Sequence, residues 1–316
     1  MASSSVRTFA DADEYAAAIR QGTAQLTVKQ RGVFRAKLTR IDLHCLWMQR
    51  FSESLARTTH VDGWGGRAII VFRTGSGASM VRNGLELDST SISRPRPGLS
   101  YYHHTRGPAS YGAMSLPISD MAAFAGSVLG REAEPQKDSL TIVPPSNALA
   151  KLLRLHAAAG ELAEDAPAVL AHPEAARGLE QALTDAMVHC LGGRNVEEDR
   201  AALRQHAAIM RRFDKVIEQH LDKPLYVTEL CKEIGASERT LRACCEEHLG
   251  MGPKRYLLLR RMHMVQRALR RSTVADTTVT DTATRYGFWQ FGRFAAEYKS
   301  LFGELPSATL AKPIRH

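Results

Sequence analysis

The chain has 316 residues, 44% hydrophobic and 24% charged, with a net charge of +9, which predicts about two domains with enough apolar material for real cores. No window approaches the roughly 20 uncharged apolar residues of a membrane span, and the start, MASSSVRTFADADEY, lacks the apolar stretch of a secretory signal, so neither a membrane nor a secreted protein is expected. The five cysteines (Cys45, Cys190, Cys231, Cys244 and Cys245) are an odd count without CxxC spacing; they suggest no disulfide framework or zinc site and fit a reducing cytoplasm.

From Gln25 to about Leu116 the chain reads as short strands. Phe34, Ala36 and Leu38 alternate with Arg35, Lys37 and Thr39, after which Ile41 and Leu43 take the other parity, a change that predicts a bulge. Ala68 to Phe72 is a continuous apolar run between glycines, as expected of a strand buried on both faces. Asn83-Gly84, set between Met80-Val81 and Leu85-Glu86-Leu87, predicts a tight hairpin, because both turn residues tolerate positive φ. Many short strands separated by turn residues argue for a small barrel or sandwich.

After Pro144-Pro145 helical spacing replaces alternation. Leu149, Leu152, Leu153 and His156 share one face, as do Ala176, Leu179, Leu183, Ala186 and Cys190, so two amphipathic helices are predicted before Gly192-Gly193. Their stripes can close a subunit interface or pack on the strands.

Charge is uneven. Residues 211–316 hold 19 Lys and Arg against 12 Asp and Glu, whereas residues 1–210 hold 23 against 21. A basic module joined to a near-neutral one points to a polyanion as the partner of the C-terminal part.

That part contains a weak internal duplication. Val227, Glu229, Cys231 and Gly235 correspond to Val279, Asp281, Ala283 and Gly287; one inserted residue later, Leu241, Cys245, Leu249, Gly250 and Pro253 correspond to Phe294, Tyr298, Phe302, Gly303 and Pro306. Each copy reads as a short helix, a turn, a second helix and a Gly-x-x-Pro stop, the helix-turn-helix plan. Between them, Pro253 to Arg271 has no interior Gly or Pro and predicts one continuous helix with Pro253 in its first turn.

The second copy and its exit, from Val279 through Gly287-Phe288, Phe294, Tyr298 and Phe302-Gly303 to Pro306-Ser307, resembles the signature of the AraC/XylS family of bacterial transcription regulators. The resemblance covers roughly residues 205–310. It implies double-stranded DNA and RNA polymerase as partners, a linker helix holding two reading heads in successive major grooves, and activation more often than repression.

In a helix-turn-helix the second helix lies in the major groove. With Leu241 and Cys245 inward, the opposite face of the first copy carries Arg239, Ala243 and Glu246, flanked by Arg242; Arg239 and Arg242 are the candidates for base contacts, with phosphate contact as the alternative. In the second copy, Phe294 and Tyr298 inward turn Gly292, Ala296 and Lys299 outward. That face offers little polar readout, so Arg293, Lys299 and Gln290 are expected on the DNA backbone. Family members often carry Arg where this chain has Ala296, which weakens base reading by this copy. Trp289 and Phe291 are expected to pack, and Arg260 and Arg261 of the linker are candidates for phosphates.

The family's amino-terminal domain is often a cupin-like barrel that binds an effector, dimerises, or both. The expected architecture is therefore α+β: a regulatory domain over residues 1–195, comprising a cupin-like β-barrel and a helical dimerisation segment, and an all-α double helix-turn-helix domain over 196–316. A homodimer answering an unidentified small-molecule effector is expected. His44, His60, His103 and His104 lack the close His-x-His with a downstream Glu, so no metal or other cofactor is expected. Cys244-Cys245 suggests a redox sensor, but the pattern makes Cys245 a core residue. No Gly-x-Ser-x-Gly elbow, Walker loop or dinucleotide fingerprint appears, so the chain is not expected to be an enzyme. The alternative from another class is a cupin-type small-molecule or metal-binding enzyme fused to a DNA-binding tail.

Overall fold

The computed structural model describes residues 2–20, 22–63, 65–129, 139–196, 200–220 and 223–312. The N-terminal elements are β1 (Ser3–Phe9), α1 (Ala12–Ala18), β2 (Gly22–Val28), β3 (Ala36–Asp42), β4 (Trp47–Glu53), β5 (Arg57–Gly63) and β6 (Arg67–Arg73). They continue with β7 (Met80–Arg82), β8 (Leu85–Leu87), β9 (Ile92–Arg94), β10 (Tyr101–Thr105), β11 (Ala109–Pro117), α2 (Ile118–Leu129) and β12 (Leu140–Val143). After these come α3 (Ser146–Asp165), α4 (Pro167–Ala171), α5 (Pro173–Leu191) and β13 (Arg194–Asn195).

The strands form two antiparallel sheets, ordered β1-β3-β4-β11-β6-β9-β12-β13 and β2-β5-β10-β7-β8. The first is apolar on both faces. On β6, Ala68, Ile70 and Phe72 face the helices, while Ile69 and Val71 join Leu26, Val28 and Met80 between the sheets. Asn83 (φ 47°) and Gly84 (φ 84°) form the hairpin turn between β7 and β8.

The bulge expected between Val33 and Leu43 is absent. β3 pairs with β4 without a slip from Ala36 opposite Glu53 to Asp42 opposite Trp47. Ala36 and Leu38 lie between the sheets, whereas Ile41 and Leu43 lie under the helices. Two buried faces, each filled at a different end of the strand, produce the same parity change as an inserted residue.

Both predicted helices form, as α3 and α5, and both spend their stripes within the chain. Leu149, Leu152, Ala159, Leu183, Ala186, Met187 and Cys190 bury against the outer face of the first sheet. The apolar stripe is therefore not a free subunit interface; burying it on the sheet removes it from water as well as a second subunit would.

The C-terminal part is helical: α6 (Arg200–Gln219), α7 (Val227–Ile234), α8 (Glu238–Leu249), α9 (Pro253–Arg270), α10 (Val279–Arg285), α11 (Phe291–Phe302) and α12 (Pro306–Leu310). It has two small cores. Phe213, Ile234, Leu241, Cys245 and Leu257 belong to one; Val265, Leu269, Ala283, Phe294 and Tyr298 belong to the other. Helix α9 serves both, with Tyr256 and Leu257 in the first and Leu259 to Leu269 in the second. The expected domain boundary after residue 195 abuts residues 197–199, which lie outside the described ones.

This helical part docks on the outward face of the second sheet. Thr58 donates to the carbonyl of Leu249, Tyr102 bonds Asp214, and Nε2 of His104 lies 3.3 Å from the carbonyl of Glu247. Asp11 and Asp13, at the start of α1, pair with Arg270 and Arg267 of α9.

Candidate DNA-recognition surface

Each head is built by local signals. In the first, Glu229 accepts from the Tyr226 backbone amide at 3.0 Å to close the start of α7, the chain turns at Gly235, and Ser237 accepts from the Thr240 amide at 3.1 Å to start α8. The second repeats the plan: Thr278 accepts from the Asp281 amide at 3.0 Å, the turn falls at Gly287, and α11 begins at Phe291. Hydroxyl caps satisfy amides that a helix start otherwise leaves without partners. Ala283 is fully buried in α10, and the small side chain lets α11 approach closely.

The buried side of α8 is Leu241, Cys244, Cys245, His248 and Leu249, which leaves Glu238, Arg239, Arg242, Ala243 and Glu246 exposed. Arg242 Nε donates to Glu246 at 2.8 Å on that surface, and Glu238 pairs with Lys254 at 2.9 Å. Arg239 stands exposed beside them. On α11, Phe294, Tyr298 and Leu301 are buried and Gly292, Arg293, Ala296 and Lys299 are exposed; Arg293 donates to Glu297 at 2.9 Å. Gln290 is exposed immediately before the helix.

Two linker arginines sit elsewhere than the sequence suggests. Arg260 is buried, and its guanidinium donates to the carbonyls of Ile217 (3.4 Å), His220 (2.7 Å) and Lys223 (3.3 Å) at the end of α6. A cation suits the partial negative charge of a helix C-terminus, so Arg260 is held there and not presented to a phosphate. Arg261 is half-buried between the heads, over the rings of Tyr226 (5.5 Å) and Phe288 (5.3 Å). Gly287 completes this junction: φ is +77°, and a Cβ there would lie 2.9 Å from the Tyr226 hydroxyl. The two heads thus touch each other as well as sharing α9, a contact the helical wheel could not show.

Trp289 and Phe291 do not pack as expected. Trp289 is 77% exposed and Phe291 41%, because the preceding Phe288 takes the core position against Phe294 at 4.8 Å. Cys244 and Cys245 are both buried; burial pushes the Cys244 thiol up to about 11 and the Cys245 thiol higher, which leaves little thiolate at neutral pH. The four candidate histidines do not converge. His44 is exposed, His60 and His104 face the C-terminal helices, and His103 faces the first sheet.

Two exposed helices, each braced from behind and joined by a shared rigid helix, define a double helix-turn-helix protein. The helix-turn-helix domain family model matches residues 230–312. The chain is 38% identical over 102 residues, 32% of its length and 31% of the relative's, to a probable thc operon regulatory protein of Rhodococcus erythropolis. It is 35% identical over 102 residues, 31% of its length and 65% of the relative's, to the XylDLEGF operon transcriptional activator 2 of Pseudomonas putida. Among solved structures it is similar to the AraC-like transcriptional activator CuxR, at 15% identity and a TM-score of 0.40 over 76% of this chain and 85% of that one. The similarity thus lies in the C-terminal third of the chain, which carries a helix-turn-helix domain and resembles operon regulators, and the chain spans only part of the length of these relatives. Among the described residues no helix is long and apolar enough to cross a membrane.

Proposed function

We propose that the chain is a sequence-specific transcription factor that acts at bacterial promoters in the cytoplasm, as a homodimer, activating transcription with RNA polymerase in response to a small-molecule effector. Residues 1–195, with the two sheets as a cupin-like barrel, form the regulatory and dimerising part, and residues 196–316 form the DNA-binding part. The observation that carries this is helix α9, whose two halves lie in the cores of the two heads and so fix their separation. Its 18 residues span about 27 Å at 1.5 Å per residue, comparable with one turn of duplex at roughly 34 Å. The relatives' names, an operon regulatory protein and an operon activator, support the same reading.

Arg239 and Arg242 of α8 read bases, and Gln290, Arg293 and Lys299 hold the backbone. Glu246 acts through Arg242, which it orients from one turn along the helix. Selection of duplexes from a random pool by the full chain at moderate salt should return a two-part motif with half-sites about 10 bp apart. Arg239→Ala should then relax preference at one or two positions of that motif, while a uniform loss over all sequences assigns Arg239 to phosphate. A pool that shows no enrichment overturns the assignment.

A further inference from the structure

The entry of α11 is apolar and faces solvent. Residues 289–293 are all exposed, and Trp289, at 77%, is the most exposed large hydrophobic side chain among the described residues, with Phe291 at 41%. The first head has no counterpart. Its α8 is entered through Ser237, Glu238 and Arg239, and Ser237 caps the helix, whereas Gln290 at the start of α11 makes no side-chain cap bond. Phe288 already fills the core position against Phe294, so neither Trp289 nor Phe291 is needed inside.

The face behind these rings is bare. Gly292 and Ala296, one turn apart, are both exposed. Gly292 has no positive φ, and a Cβ there would meet nothing within 4 Å, so the fold gives no reason for a residue that weakens its helix. What a missing Cβ supplies at such a position is close approach by a body outside the chain.

Arg285, Arg293 and Lys299 stand exposed around this face, and the nearby acid, Glu297, is bonded to Arg293. A cationic rim around an apolar floor fits duplex DNA, whose major groove sets base edges between two rows of phosphates. Against polar base edges, side chains without donors or acceptors would leave those edges unpartnered. The one apolar group on the groove edge is the C5-methyl of thymine.

We propose that the second head reads thymine: Trp289 and Phe291 take up C5-methyl groups in the half-site under α11, Ala296 lines the same contact, and Gly292 lets the helix approach that closely. Arg239 and Arg242 in the first head suit guanine, so the two half-sites differ in chemistry, one read through hydrogen bonds and the other through methyl groups. The inference rests on the DNA-binding reading above and names what the second head selects.

The test uses the full chain and the motif it selects from a random pool. Each thymine is replaced in turn by deoxyuridine, which keeps the pairing edge and lacks only the methyl, and Kd is followed by fluorescence anisotropy at constant salt. One or more positions in the half-site that Arg239→Ala leaves unchanged should weaken about fourfold, the transfer value of one methyl group. Trp289→Ala or Phe291→Ala should erase that preference for thymine over uracil while melting like the parent, since both side chains are exposed. Gly292→Leu should melt at or above the parent and bind the motif about tenfold more weakly. Arg293→Ala should weaken all duplexes alike and keep the preference. The inference is overturned if uracil equals thymine at every position, or if both alanine variants keep the parent's preference, which assigns the rings to a protein partner. A pool without enrichment overturns the DNA-binding reading and this inference with it; an enriched motif indifferent to the methyl group overturns this inference alone.

Discussion

Thr58, in the second sheet, donates a 2.6 Å hydrogen bond to the carbonyl of Leu249, the last residue of α8. The end of α8 is thus closed by the N-terminal part of the chain. Gly250 follows with φ +67°, and a Cβ there would lie 2.5 Å from the His104 ring, so the same glycine ends the helix and lets the sheet approach. Thr58→Val keeps the volume and removes the donor. It should lower the unfolding free energy by about 1–2 kcal/mol, measured by denaturant titration. An unchanged midpoint would show that water replaces the hydroxyl at no cost.

Arg260 closes α6 by meeting three carbonyls at its end. Arg260→Met should reduce stability by about 2–3 kcal/mol, since charge-assisted bonds are lost and buried carbonyls are stranded. The salt dependence of DNA binding should keep its slope. A slope reduced by about one ion, with stability intact, would return Arg260 to the phosphate backbone.

Phe294 lies 2% exposed between Phe288 at 4.8 Å and Tyr298 at 5.7 Å. Phe294→Ala should cost about 3–5 kcal/mol and loosen α11 against α10. Calorimetry that finds the variant as stable as the parent would remove Phe294 from the core and with it the outward face assigned to Lys299 and Arg293.

Acid should destabilise the protein between about pH 6.5 and 4. His104, His156 and His263 are each held near 4, burial being the first cause for all three. In that window the unfolded chain binds protons that the folded chain refuses, so stability falls as pH falls. Asp214 works in the opposite sense, because burial raises it to about 6 and the folded chain takes up its proton first. Three groups outweigh one, and Tm should drop across the window. A Tm that rises from pH 6.5 to 4.5 would contradict the burial of these histidines.

Much of this molecule is local and therefore legible along the chain. The turns at Gly235 and Gly287, the Asn83-Gly84 hairpin and the continuous helix from Pro253 depend on residues within one or two turns of each other. Periodicity alone then orders which faces of α8 and α11 are buried, because a side chain every three or four positions must leave water together.

What the folded chain alone decided is where each charged or apolar group found its partner. Arg260 went to carbonyls about forty residues away, Arg261 to rings on both heads, the stripes of α3 and α5 to their own sheet, and Arg57 and Arg82 to the buried interior between two sheets. An arginine costs the same to desolvate wherever it sits in the sequence. Whether it faces solvent, a helix end or a buried interior is set by chain crossings that no local pattern encodes.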